Sequence, residues 1–293
     1  ITYGLGSVNQ NLPAYVVLAD PQNRLPVNGV ENWMSGYLPP LFQGTSIKSE
    51  GTPMLHLKPD FKEPAGVSAA KHNLLNALDQ IHKAERPNQH VLDSRIANYQ
   101  MAARMQVQAT EALDVSKETE TTRKQYGIGD KVTDNFGKRC LMARRLVERG
   151  VRFVQIYPKG QMWDNHDNIK ISLPAACKQS DLPTAGLLRD LRQRGLLDDV
   201  LILWGGEFGR LPMAQGEYAK AGRDHGPSGF TNWMAGGGVK GGTVYGETDD
   251  IGYGAVKDRV SIQDWHATIL HQLGMDPVSY THLRAHETDS YLV

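Results

Sequence analysis

Gly150-Val151-Arg152-Phe153-Val154-Gln155-Ile156-Tyr157 and Gly195-Leu196-Leu197-Asp198-Asp199-Val200-Leu201-Ile202-Leu203-Trp204 decide the reading of the fold. Each is a β-rich run that follows a helical pattern closed by glycine, the residue that best tolerates the left-handed stop of a helix. The first helical pattern covers 131–149 and the second about 181–194. Helix, glycine, strand and loop thus occur twice. That alternation predicts an α/β protein with a mostly parallel sheet and helices on both faces. The unbroken apolar run Val200–Trp204 predicts a central strand buried on both sides.

Working outward, Phe230–Ala235 reads as a further strand and Ile262–Leu273 as a helix. Upstream, 67–125 reads as an amphipathic helical pair covering a core. Ser68 is the candidate cap, Leu74, Leu75, Leu78 and Ile81 form the apolar stripe, and Pro87 is the break. The second helix, roughly 89–117, carries Leu92, Ile96, Tyr99, Met105 and Leu113. His72, His82 and His90 lack ligand spacing and read as surface imidazoles. Residues 1–66 are rich in proline and glycine. Their one apolar run, Tyr15-Val16-Val17-Leu18, reads as a short strand in a wrapping segment.

The chain has 293 residues, enough for one large α/β domain or about two of ordinary size. Apolar residues make up 40% and charged residues 22%, which excludes wholesale disorder. Lys+Arg and Asp+Glu are 32 each, so no global field draws the chain to nucleic acid or anionic lipid, although a local patch remains open. No apolar run is long enough for a membrane span. Cys140 and Cys177 cannot build a disulfide framework; they can pair or stay as thiols. Gly4-Leu5-Gly6 and Gly236–Gly242 lack the remaining residues of a dinucleotide loop or a phosphate loop, and there is no Gly-x-Ser-x-Gly elbow.

Open α/β sheets bind ligands beyond the carboxyl ends of their strands. There the sequence places Trp163-Asp164-Asn165-His166, then Gly205-Gly206-Glu207-Phe208-Gly209-Arg210. A third loop carries Gly222-Arg223-Asp224-His225-Gly226-Pro227. Asp164, His166, Glu207 and His225 make a mixed oxygen and nitrogen set suited to a divalent metal such as zinc or manganese. Bound there, a metal polarises an ester oxygen and activates a nucleophile. His271 reads as an ordinary helix residue, while the role of His266 stays open.

These loops, with Tyr3–Pro13 and Ala235–Gly242, resemble the bacterial sulfatase-like proteins grouped as domain of unknown function 1501. The resemblance runs over about 1–277. It implies kinship with the alkaline phosphatase superfamily and hence an alkaline-phosphatase-like core with a helical insertion at about 67–125. Asp264–Gly274 resembles the superfamily's closing Asp-x-x-Pro-Thr helix, with Ala267 in place of proline.

The resemblance implies that Asp164, His166 and His225 hold one metal (zinc, manganese, magnesium or calcium). Glu207 stands where relatives have an aspartate, and Phe208 replaces the histidine after it, which puts a second, fully ligated metal in doubt. Asp224 orients His225 or binds directly, and Arg210 grips a phosphate or sulfate oxygen. The implied function is metal-dependent hydrolysis of a small-molecule or glycan sulfate or phosphate ester. The alternative is a non-catalytic module that binds glycan or another anionic ligand.

The resemblance also implies an upstream Ser/Thr nucleophile and a first metal aspartate outside this chain. The chain is therefore expected to be N-terminally truncated, inactive and poorly stable alone. A periplasmic or secreted protein is implied too. Ser279–Thr288 resembles translated sequencing-adapter read-through, so 278–293 is read as a non-native tail, with no role for His282 or His286.

Overall fold

The computed structural model describes residues 1–20, 26–49, 64, 66–87 and 89–276. The tail at 278–293 lies outside them. The chain divides into two units, one formed by 1–161 and 179–187, the other by 162–178 and 188–293.

The first unit is built around the run read as a short strand in a wrapping segment. Its elements are α1 (Thr2–Leu5), β1 (Tyr15–Ala19), β2 (Thr45–Lys48), α2 (Val67–Ala84), α3 (His90–Leu113), α4 (Glu120–Gln125), α5 (Asp134–Glu148) and β3 (Phe153–Ile156). The strand order is β2-β1-β3, so β1 is central. Both pairings are parallel, with Leu18 beside Ile47 on one side and Ile156 on the other. Val16, Val17 and Leu18 are fully buried, as a strand covered on both faces requires.

Alternation along β1 sends Val16 and Leu18 into a core with Met105, Ala109, Ala112 and Leu113 of α3 and Met142, Ala143 and Leu146 of α5. On the opposite face Tyr15 packs on Phe153, ring centroids 4.9 Å apart. Tyr15 also donates to Gln155 Oε1, and Gln155 Nε2 donates to the Tyr157 hydroxyl at 2.6 Å. The protein is thus mixed α/β, with a small three-strand parallel sheet packed against helices.

Helix α5 closes at Gly150, whose φ of +83° fits the glycine stop. Its arginines are buried. Arg139 meets Asp20 at 3.3 Å, and Arg144 meets Glu118 and Glu148, each at 2.7 Å. Arg145 pairs with Glu118 and donates through Nε to the Ala112 carbonyl at 2.9 Å. Burial alone would raise the Glu118 pKa. Hydrogen bonds from Arg144 and Arg145 outweigh it and hold the carboxyl below its ordinary range. Cys140 and Cys177 form no disulfide, and burial pushes the Cys140 thiol up to about 12.

Three expectations about the helices need correction. The apolar face of α2 covers no core: none of its residues is buried, and Leu74 and Ile81 are each 61% exposed. A helix paired along one side to a neighbour leaves its opposite stripe in solvent. Lys83–Asp93 and Gln100–Asn76 tie α2 to α3 on the polar side. Gly66, not Ser68, is the N-cap of α2. Finally, α6 (Ile169–Gln193) begins twelve residues before the expected Asp181 and runs through Pro183.

The second unit contains short ribbons. These are β4 (Ile202–Trp204), β5 (Gly209–Arg210), β6 (His225–Gly226), β7 (Trp233–Ala235), β8 (Glu247–Thr248) and β9 (Ala255–Lys257), followed by α7 (Ile262–Gln272). The pairs β4–β7, β5–β6 and β8–β9 are antiparallel. The expectation of a buried central strand at Val200–Trp204 therefore fails. Leu203 is 37% and Trp204 38% exposed, and β4 shares no sheet with β3. An apolar run registers strand propensity, but it does not distinguish a sheet interior from an aromatic-rich ribbon. Among the described residues no helix is long and apolar enough to cross a membrane.

Candidate metal centre

Convergence of the three loops comes from the β5–β6 ribbon and two isolated bridges, not from one sheet edge. In β5–β6, Arg210 lies opposite His225 and Gly209 opposite Gly226. The bridges join Asp167 to Ala221 and Gln215 to Gly222. Arg223 N–H donates to the Asn165 carbonyl at 2.9 Å, and Asn168 N–H to the Lys220 carbonyl at 2.8 Å. These bonds strap the Asp164 loop along the segment that ends in His225. Gly222 makes the approach possible. A Cβ there would lie 2.0 Å from the His166 carbonyl carbon and 2.4 Å from Asp167 N, so any other residue must push the loops apart.

Asp164 Oδ1 is the hub. His166 Nε2 stands 2.9 Å from it and His225 Nε2 3.1 Å. Asp164, His166 and His225 each offer a ligand atom, and the three atoms lie within 4.8 Å of one another. Tetrahedral ligands bound at about 2.0–2.1 Å stand about 3.3 Å apart, so the Asp–His spacings need only a few tenths of an ångström to enclose an ion. All three residues are half-buried, which leaves solvent access.

His166 Nδ1 lies 2.8 Å from Gln215 Oε1. An Nδ1–H donated to that oxygen directs the Nε2 lone pair at the cluster, the usual arrangement of a metal-ligating imidazole. The Gln215 hydrogen bond, followed by the charges of Asp164 and Asp224, raises the His166 pKa.

Glu207 stands outside the three-residue set but touches it, with Oε1 3.3 Å from His225 Nε2. Arg210 Nη2 bridges Asp164 Oδ1 and Glu207 Oε1, each at 3.0 Å. Arg210 Nη1 donates to the Gly209 carbonyl at 3.0 Å, so the guanidinium is aimed by its own strand. Asp224 accepts the backbone N–H of His225 at 2.8 Å and stands 4.0 Å from His166 Nδ1, closer to an orienting position than to the hub. Phe208 packs against His225, ring centroids 5.7 Å apart. His266 and His271 are exposed on α7, where Asp264 completes a capping box with Ser261.

Sequence reasoning missed Gln215. A lone glutamine beside a turn glycine carries no ligand signature, and only the Gln215–Gly222 bridge brings it to His166. It also missed the grouping of Trp163, Trp204 and Trp233. Trp204 and Trp233 stack 3° from parallel with centroids 6.3 Å apart, and Trp163 meets Trp204 edge-on at 6.1 Å. The signal was in the sequence: a tryptophan directly precedes Asp164, and another lies three residues before Glu207.

No curated protein and no solved structure matches the chain. A family match covers residues 1–287, nearly the whole length. The chain belongs to the family described as Protein of unknown function (DUF1501).

Proposed function

We propose that this protein is a metal-dependent hydrolase of sulfate or phosphate esters, with an alkaline-phosphatase-like core, in which Asp164, His166 and His225 hold a divalent ion. The convergence of one carboxylate and two imidazole Nε2 atoms at near-ligand spacing carries the reading. A borderline ion such as zinc suits that donor set. When bound, the ion supplies electrophilic stabilisation of the charge that develops on an ester oxygen.

The chain's own residues do the rest. Gln215 fixes the tautomer and rotation of His166. Asp224, anchored on the His225 N–H, steadies the loop that presents the second imidazole. Glu207 is a candidate further ligand beside His225. Arg210 sits between the acids, where its two-pronged guanidinium can turn to an anionic oxygen.

Metal analysis and zinc titration test the reading. Wild type should retain one zinc per chain after dialysis. Asp164→Ala and His225→Ala should each weaken zinc binding by 100-fold or more. Unchanged metal content in both variants would remove the ligand assignment.

A second reading has its own support. Phe208 occupies the place of a histidine, and Arg210 already balances Asp164 and Glu207. A module that binds an anionic ligand without cleaving it fits that charge arrangement. Binding of aryl sulfates and phosphates by the zinc-loaded chain, with no hydrolysis, would favour it.

A further inference from the structure

We propose that Trp163, Trp204 and Trp233 form a stacking platform for the six-membered ring of an ester whose charged end lies at the Asp164–His166–His225 cluster. The inference rests on the hydrolase reading and narrows its substrates to ring-bearing sulfate or phosphate esters, aryl or pyranose.

Trp204 and Trp233 are directly opposed in the β4–β7 register, which puts both indoles on one face of the ribbon. A cross-strand tryptophan pair stabilises a two-stranded ribbon, and that accounts for the stack. It does not account for the third indole, which comes from a separate loop and meets Trp204 at 82°. Nor does it account for Trp204 staying 38% exposed after both contacts. An indole flanked by two aromatic neighbours, with exposed area left, offers a ring a preformed face at low entropic cost.

The platform residues neighbour the cluster residues along the chain. Trp163 is peptide-bonded to Asp164, and Trp204 lies three residues from Glu207. Phe208, 51% exposed, packs against the His225 ring on the cluster side. Indole faces accept an aryl ring by offset stacking and a pyranose by its C–H face. An open-chain ester offers neither. The shared chemistry is a flat, weakly polar face next to an anionic group.

Calorimetric titrations of the full chain, with and without zinc, test the proposal. The probes are inorganic sulfate and phosphate, 4-nitrophenyl sulfate and phosphate, glucose 6-sulfate and 6-phosphate, and uncharged benzyl alcohol and methyl glucopyranoside. In wild type, ring-bearing esters should bind roughly tenfold tighter than the inorganic anions. A gain with either ring type supports the platform and tells which ring it takes.

Trp204→Ala should abolish the gain and leave zinc affinity unchanged, Trp204→Phe should keep most of it, and Trp163→Leu should lose part. A wild type that binds ring esters no better than inorganic anions, whatever its zinc affinity, overturns the platform. Loss of zinc and inorganic sulfate binding in Trp204→Ala in step with the ring esters, repeated in Trp163→Leu, overturns it in favour of structural support. Failure of wild type to bind zinc, with uncharged rings still bound and lost in Trp204→Ala, sinks the hydrolase reading and sustains the platform.

Discussion

The two units of the chain stabilise themselves in opposite ways. The first buries a three-strand parallel sheet under α3 and α5, with side chains such as Val16, Leu18 and Leu146 fully removed from water. Its polar interior is equally committed: Arg144 is 1% exposed and meets two carboxylates. The second unit has ribbons of two or three residues, glycine-enabled close approaches and a half-exposed polar cluster. The buried apolar core lies in one unit and the candidate metal cluster in the other. Damage to each should therefore read out differently.

The largest effects are expected in the first unit. Leu146→Ala removes a fully buried side chain from the core and should cost about 3 kcal/mol of unfolding free energy, measured by urea denaturation. Zinc affinity under native conditions should stay within about twofold of wild type. A loss of zinc binding comparable to that of Asp164→Ala would break the contrast between the units.

Acid tests the same unit. The Glu118 carboxyl has a depressed pKa in the folded state because arginine hydrogen bonds outweigh the opposing effect of burial. Its stabilising contribution is present above the unfolded-state carboxylate pKa and is lost as pH falls through the lower folded-state value. Glu118→Gln should lower stability at neutral pH by about 2 kcal/mol and flatten the acid limb of a melting-temperature profile. A variant whose acid limb matches wild type would show that the Arg144–Glu118–Arg145 contacts carry no linkage.

Gly222→Ala probes the second unit. The added methyl collides with the backbone of His166, so zinc affinity should fall by about tenfold or more. Loss of unfolding free energy should be smaller than for Leu146→Ala. Equal losses in both variants would mean that the loop junction also carries global stability.

The smallest change is Phe208→His. Phe208 is 51% exposed, and surface substitutions usually alter stability by less than about 0.5 kcal/mol. The new imidazole beside His225 should raise zinc affinity severalfold or add a second, weaker site by titration. No change in either would mean that position 208 does not face the cluster.

Legibility from the sequence follows the same division. The helix stops at Gly150 and Gly195 were readable because local chemistry fixes them; both have positive φ. Asp164, His166 and His225, which the structure gathers into a group that could hold a metal ion, were readable as candidates because their types and loop positions carry chemical meaning. Strand rank was not. Tyr15–Ala19 and Val200–Trp204 are both short apolar runs, yet one became the sheet centre and the other an exposed ribbon. Partner choice is a long-range property that no local window contains. The place of Arg210 between Asp164 and Glu207, and the support of His166 by Gln215, likewise depend on cross-loop bridges.

The most direct test of the central claim is X-ray absorption spectroscopy of the zinc-loaded protein. It should show two imidazole nitrogens at about 2.0 Å and a carboxylate oxygen at about 2.0–2.2 Å in a four-coordinate shell. The imidazole signal should fall by half in His225→Ala. A shell without imidazole scattering, or one unchanged in that variant, would contradict the assignment of Asp164, His166 and His225 as the metal ligands.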